Sequence, residues 1–302
     1  MVSITSIDTA PGQGLRRERP ANVESTSGGA DPHQPAPPLP AGHAELLGWA
    51  KYLLISTASL AAGLLLWHYA VAAKLDFYVR FSNIPSPLSV FHAFVQQLSG
   101  TSYYVHVLVS VKRILISYAF AVVIGIALGL GMGRSRFIRA LFIPYIEIVR
   151  PIPAVAWIPL AILAWPTEES SIIYITFLGA LFPIVLNTIH GVESTPEVLI
   201  RAARSLGASR YQIFRYVVLP AALPSIAAGL VIAMGVSWFS LLAGEIISGQ
   251  FGIGYFTWNA YSLINYQDIV VGMISIGLIG TLSTYAIKLA TRPALRWQRR
   301  TR

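Results

Sequence analysis

"RAARSLGASRYQIFRYVVLP", residues 201–220, sets four arginines around a central glycine and ends on a proline, between two strongly apolar runs. Thr195-Pro196-Glu197 just before it reads as a helix N-cap, a first-turn proline and a first-turn acid. Glu197 and Arg201 stand i, i+4 and can pair. Val198, Leu199, Ala202, Ala203 and Leu206 are expected to share an apolar face. Gly207 suits a left-handed helix terminus. Ser209 with Gln212 three residues on is a capping box that restarts the helix. Pro220 either ends that second helix or feeds it into the next apolar run. The stretch is therefore a short helix–turn–helix, basic on one side and apolar on the other. A helix lying on lipid headgroups and a surface for docking a partner need the same features, and the residues alone leave both open.

Working outward, the material around this loop belongs in a membrane. The 302 residues are 55% hydrophobic and 12% charged, half the charge of an average soluble domain at about 25%. Mean hydropathy is +0.61. Cysteine is absent, which excludes disulfides, thiolate metal sites and cysteine nucleophiles. Residues 1–44 differ in kind. They are rich in Pro, Ser, Gly and Ala ("DPHQPAPPLPAG", 31–42), lack apolar periodicity, and read as a disordered tail. A transmembrane domain over 45–297 and a basic end at 298–302 complete the division.

Six apolar segments follow the tail, near 51–73, 108–133, 140–165, 170–190, 224–248 and 269–291. Each reaches the ~20 residues that a helix needs to cross a bilayer, and uninterrupted segments of that length are helices, since lipid offers the backbone no partners. The fold class is thus all-α, a polytopic membrane protein of six transmembrane helices. Lysines and arginines orient it. With the amino terminus inside, the inner segments hold Arg16, Arg17, Arg19 and Lys51; Arg134, Arg136 and Arg139; Arg201, Arg204, Arg210 and Arg215; and Lys288, Arg292, Arg296, Arg299, Arg300 and Arg302. The outer segments hold Lys74, Arg80, Lys112 and Arg113, and Arg150 falls within a span. Both termini are expected inside. The net charge of +9 is then explained by topology, and no nucleic-acid partner is required.

With that orientation, residues 201–220 face the cytoplasm and resemble the "EAA" loop of inner-membrane permeases of binding-protein-dependent ABC transporters. That pattern runs E-A-A, three residues, G, nine residues, then I-x-L-P. Ala202, Ala203, Gly207, Leu219 and Pro220 match in place, Arg201 stands at the glutamate position, and Val217 replaces the isoleucine. The resemblance extends over about 84–297. "RPIPAVAWIPLAILAW" (150–165), "FLGALFPIVLNTIHGV" (177–192) and "AGEIISGQFGIGYFTWNAYSL" (243–263) are similar to the nitrate, sulfonate and taurine branch, although the "WPTEESS" turn (165–171) is shorter than that branch's usual glycine-containing loop.

The resemblance implies a type I importer permease in a bacterial inner membrane. Two permease chains, here expected as a homodimer, form an alternating-access path for a small anionic solute. A binding protein delivers the solute outside. The cytoplasmic loop is a coupling helix that docks into ATP-binding subunits. Arg201, Ala202, Ala203, Arg204, Leu206, Gly207, Ser209 and Arg210 would make that contact. The chain has no G-x-x-x-x-G-K-[ST] phosphate loop, so it is not expected to be an enzyme, and no cofactor or metal is implied. The rival class, a self-sufficient secondary transporter or channel, would need inverted repeats or charge relays, and neither is evident.

Within the membrane, the third segment carries Pro144, Pro151, Pro153 and Pro159. Each proline frees a backbone carbonyl that lipid cannot satisfy, so the segment is expected to be broken and to line a path. Pro151, Pro153 and Trp157 are its candidate path residues, with Trp238 and Ser240 from the fifth span. The ionisable groups expected inside spans are Glu147, Arg150 and Glu245, each costing roughly 2.5–3.5 kcal/mol at a helix centre. Glu147 and Arg150 stand i, i+3 and can neutralise each other, while Arg150 is also the basic candidate for meeting an anion. Glu245 either pairs across the bundle or sits wet at the outer interface. His68 and His106 are expected near that interface, solvated or capping. Gly252 and Gly254 are expected to make tight turns there, beside Tyr255, Trp258 and Tyr261. Gly125, Gly129 and Gly133 recur every four residues, a smooth face for packing inside the chain or for a dimer seam.

Overall fold

The computed structural model describes residues 41–75 and 81–295. Eleven α-helices stand among them: α1 Ala41–Ala72, α2 Pro87–Ser99, α3 Thr101–Arg134, α4 Arg136–Val149, α5 Ile158–Ala164, α6 Glu168–Glu193, α7 Glu197–Ser205, α8 Arg210–Ile213, α9 Leu219–Ser248, α10 Ile253–Ser262 and α11 Tyr266–Thr291. No strand occurs among the described residues. The expected disordered tail over residues 1–40 and the basic end at 296–302 lie outside them, and α1 already begins at Ala41, inside the segment that composition assigns to the tail. The chain divides into Met1–Ala58 and Ser59–Arg302, and the features below belong to the second unit.

Five stretches are long and apolar enough to cross a membrane: Lys51–Ala72, Thr101–Arg134, Glu168–Glu193, Arg210–Ile247 and Tyr266–Thr291. The sixth segment is not one helix. α4 and the helical stretch Ala154–Ala164 meet at 88°, so the third span exists only as a sharply bent pair. Its prolines explain the break. Pro153 opens the 3₁₀ turn Ala154–Trp157 and Pro159 lies in the first turn of α5, both places where a missing N–H is tolerated. Pro144 sits inside α4 without ending it.

α6 is the central helix, packed between α3 and α9. Its neighbours contribute Ile114, Tyr118 and Ala121 from α3 and Ala233, Met234, Trp238 and Leu241 from α9, closing on Ile172, Ala180 and Ile184. The three-glycine face of α3 is the means of close approach. A Cβ at Gly125 would lie 2.9 Å from Ile184, at Gly129 2.5 Å from Thr188, and at Gly133 2.7 Å from Val192. The face therefore packs within the chain against α6. Gly129→Val is expected to destabilise the bundle by about 1–3 kcal/mol through overpacking. Gly277→Ala, with nothing within 4 Å of the added carbon, should be neutral or better. Unfolding of the purified protein in mixed micelles, titrated with denaturing detergent, measures the difference.

Candidate functional site

At one end of the bundle the 195–218 loop is built by local hydrogen bonds. Arg201 Nη2 donates to Glu197 Oε2 at 2.9 Å. α7 ends in a Schellman turn: the Ala208 N–H reaches the Ala203 carbonyl, the Gly207 N–H reaches the Arg204 carbonyl, and Gly207 has φ +79°. The Ser209–Gln212 capping box is formed in both directions, at 2.7 and 3.3 Å. A π-helical turn, Phe214–Val218, then carries the chain without interruption into α9, so Pro220 feeds the span. Arg134 lies over the Phe214 ring and donates to the Arg210 carbonyl, fixing the loop to the end of α3, and Arg139 of α4 pairs with Glu193 at the end of α6.

Two expectations for the loop are corrected. Thr195 does not cap α7. The cap position is Pro196, which makes no side-chain cap bond, and the Thr195 hydroxyl is buried without a partner. Nor do the five apolar residues share one face. Ala203 packs inward with Ile200 and Ala208, against Val192, Ile213 and Val218. Val198, Leu199 and Leu206 point outward with 70%, 50% and 88% exposure, and Ala202 is exposed with them. Val198, Ala202 and Leu206 recur every four residues, so α7 has a second apolar stripe that this chain leaves uncovered, flanked by the exposed Arg201 and Arg204.

Near the opposite end lies a buried polar node. Arg113 of α3 is 4% exposed. Its Nε and Nη2 donate to Glu169 Oε2 of α6 at 2.8 and 2.6 Å, and its Nη1 donates to Glu245 Oε1 of α9 at 3.1 Å and to the Phe251 carbonyl at 2.7 Å. Glu245 is fully buried and also accepts from Ser110 at 2.7 Å and from the Gly254 N–H at 2.9 Å. The backbone entering α10 is held by the same group: the Gly252 N–H donates to His106 Nδ1 and the Ile253 N–H to Ser110. Gly252 must be glycine twice over, with φ +119° and the Glu245 carboxyl carbon 2.2 Å from where a Cβ would stand.

The third feature is a cavity of about 330 Å³ where the bent segment meets α6 and α9. Arg150, Ile152, Pro153 and Ala154 line it from the bend, Gly179, Phe182, Pro183 and Leu186 from α6, and Val236, Phe239 and Ser240 from α9. The candidate path residues thus separate. Arg150, Pro153 and Ser240 come together here. Pro151 and Trp157 belong to the same bend without lining the cavity, and the Trp157 indole nitrogen is buried without a partner. Trp238 lines a different groove, against α11. Glu147 is exposed on α4. Glu147 and Arg150 form no ion pair, and among the described residues neither has another.

These features fit a known family. The binding-protein-dependent transport system inner membrane component family matches residues 121–296. The chain belongs to it. The permease is 41% identical over 214 residues to a protein of Escherichia coli (strain K12) named as the aliphatic sulfonates transport permease SsuC, covering 71% of this chain and 81% of that one. It is 34% identical over 210 residues to the nitrate import permease protein NrtB of Synechocystis sp. (strain ATCC 27184 / PCC 6803 / Kazusa), covering 67% and 76%. A bacterial alginate ABC transporter, solved with an alginate pentasaccharide-bound periplasmic protein, has a chain of the same fold, with a TM-score of 0.50 at 15% identity over 86% of this chain and 95% of that one. The permease is therefore a multi-pass transport subunit of an importer, and the reading as a self-sufficient secondary transporter or channel is set aside.

Sequence reasoning missed Arg113. The charge distribution places it with Lys112 in an outer segment, yet it sits inside a span and is 4% exposed. The correction removes one cation from the outer count and leaves the asymmetry standing. The partner of Glu245 follows from it: Glu245 pairs across the bundle and is not wet. One signal was available. A buried carboxylate near the end of α9 required a cation from another span, and Arg113 lies within the 108–133 apolar segment.

Proposed function

We propose that the permease works as a homodimer that moves a small anionic solute inward, driven by cytoplasmic ATP-binding subunits docked on residues 197–215 and supplied by an extracytoplasmic binding protein. Both termini face the cytoplasm on this reading, as the lysine and arginine distribution requires. The observation that carries it is the outward stripe of α7. An exposed Leu206, Val198 and Leu199 beside Arg201 and Arg204 make an amphipathic helix face whose apolar side is not used by its own core. A protein groove with acidic rims would cover both kinds of surface. Arg201, at the position of the pattern's glutamate, is tied to Glu197 and adds positive charge to that face. The anionic class is supported by the sulfonate and nitrate named for the relatives.

The absence of native cysteines makes a direct test simple. Ser209→Cys and Ser262→Cys, both at exposed positions, should be labelled by an impermeant thiol reagent from opposite sides of the membrane. Ser209→Cys should react only from the cytoplasm, and co-expressed ATP-binding subunits should protect it. Labelling of both from outside overturns the orientation. Unchanged labelling of Ser209→Cys in the purified complex overturns the docking.

A further inference from the structure

We propose that the groove between α9 and α11 seats one acyl chain of an anionic glycerophospholipid, whose phosphate is held by Lys288 and Arg292 at the groove's cationic end. The site goes beyond the transport reading. It is a place on the exposed side of these two helices for a component of the membrane itself.

The groove holds about 370 Å³ and is lined by Gly235 and Trp238 of α9 and by Gly277, Gly280, Tyr285 and Lys288 of α11, among others. Its open floor is the first ground. Elsewhere in the bundle a glycine makes room for a neighbour within the chain. An added Cβ at Gly125, Gly129, Gly179, Gly191, Gly229 or Gly272 would meet another helix at 2.1–2.9 Å. At Gly235 and Gly277 it would meet nothing within 4 Å, although both line this groove and both lie inside spans. Glycine weakens a helix interior relative to alanine, and here the room it leaves is not used by the permease's own chain. Within the hydrocarbon such a groove is filled by lipid or by another protein.

Charge and depth decide for lipid. Lys288 lines the groove at one end, is exposed, and forms no ion pair among the described residues. Arg292 stands one turn further on, its guanidinium carbon 6.0 Å from the centroid of the Tyr285 ring that lines the same groove. From Gly277 to Lys288 the helix rises about 16 Å at about 1.5 Å per residue, the depth of one leaflet of a hydrocarbon core about 30 Å thick. The groove therefore has the depth of an acyl chain, with two cations at the level where the phosphate of that chain's headgroup would stand. A second copy of the permease fits less well. A two-fold axis along the membrane normal would bring Lys288 and Arg292 of both copies to one depth, where like charges repel. The acids of α9 and α11, Glu245 and Asp268, lie at the other end of these helices. The lysine and arginine distribution puts the cationic end in the cytoplasmic leaflet, and only the choice of leaflet rests on that orientation.

The test uses the purified full-length permease in phosphatidylcholine nanodiscs that contain a trace of phosphatidylglycerol with a diazirine in its acyl chain. Irradiation and peptide mass spectrometry then locate the adduct. The probe should mark residues 235–238 and 276–285, and a phosphatidylcholine probe with the same chain should mark them at least about tenfold less, since each basic group beside a headgroup contributes about fivefold. Unlabelled phosphatidylglycerol should compete. Lys288→Gln should lower the marking about fivefold, and Lys288→Gln/Arg292→Gln should remove the preference between the two probes. Gly277→Leu leaves both charges in place but occupies the floor of the groove. It should lower the marking at least about fourfold, the contribution of one displaced methylene. Equal marking by the two probes overturns the headgroup assignment, and absence of marking in the groove overturns the site. Thr281→Cys, exposed in the groove of a chain without native cysteines, should not link two chains on oxidation. A Thr281→Cys disulfide between two permeases would give the groove to a second copy and overturn the lipid. None of these readouts involves the α7 loop, so a failed lipid site leaves the protection of Ser209→Cys by ATP-binding subunits standing, and the reverse.

Discussion

Arg113→Met is expected to destabilise the permease by about 3–5 kcal/mol, the largest single-residue effect in the bundle. The substitution replaces the aliphatic stem of the side chain with an unbranched apolar one and removes the guanidinium. What it leaves behind is a fully buried Glu245 carboxylate with only Ser110 and the Gly254 N–H for partners. Glu169 suffers less, since its side chain is 39% exposed and can be hydrated. The Phe251 carbonyl also loses its donor, and with it one of the ties that hold the entry to α10. Glu245→Gln should cost less, because it removes the buried charge and Arg113 retains Glu169, while its single amide oxygen keeps either the bonds made to Oε1 by Ser110 and Arg113 or the one made to Oε2 by the Gly254 N–H. The double variant Arg113→Met/Glu245→Met should recover much of the loss of Arg113→Met, since removing both charges removes the uncompensated one. The measurement is a double-mutant cycle on detergent-induced unfolding. An Arg113→Met variant within 1 kcal/mol of wild type would mean that Glu245 is neutralised by something other than this ion pair.

This node marks the boundary of what the sequence made legible. The left-handed Gly207, the capping box at Ser209 and the Glu197–Arg201 pair were all readable because their partners lie within five residues. The glycine face of α3 was readable as a packing surface from its spacing, while its partner, α6, was not. Arg113 and Glu245 are separated by 132 positions, and nothing local announces the pair. An arginine beside a lysine near the end of an apolar run looks like the edge of a span, and which carboxylates it meets becomes visible only when α3, α6 and α9 are brought together.

The two faces of α7 failed for another reason. Helical spacing places Val198, Ala202 and Leu206 on one stripe and Ile200 and Ala203 on another. Grouping all the apolar residues on one face overlooks that helical spacing splits them, and that the chain's own core uses only the stripe of Ile200 and Ala203. On the docking proposal the other stripe of α7 stays uncovered because that part of the helix surface is kept for a partner. Thr195 illustrates a competition that local rules do not resolve. Pro196 takes the cap position with extended backbone, and the threonine hydroxyl is carried into the interior, away from the N–H groups it was expected to bind.

Gly207→Val is expected to leave the permease folded and inserted while lowering recovery of the ATP-binding subunits about tenfold on pull-down, with solute-stimulated ATP hydrolysis falling in parallel. A Cβ at Gly207 would meet nothing within 4 Å, so the cost is not steric contact with the rest of the chain. It is backbone strain. With φ at +79°, a β-branched side chain is held in the left-handed region at a cost of roughly 1–3 kcal/mol. Either the turn keeps its shape under that strain, or it relaxes and releases the bonds from Gly207 and Ala208 to the end of α7. Relaxation moves α7 relative to α8, and with it the outward stripe that ends at Leu206. The six spans do not depend on this turn, because the inward side of the loop is secured separately through Ile213, Val218 and Ile200. Gly207→Asn separates backbone strain from other causes, since asparagine tolerates the left-handed region and should retain most of the recovery. A helix that merely rested on lipid headgroups would respond differently: both variants would transport normally, since no partner would read the angle between α7 and α8. Wild-type recovery of the ATP-binding subunits by Gly207→Val would therefore remove the docking role from this loop, and the exposed Val198, Leu199 and Leu206 would then be lipid-facing residues at the membrane surface.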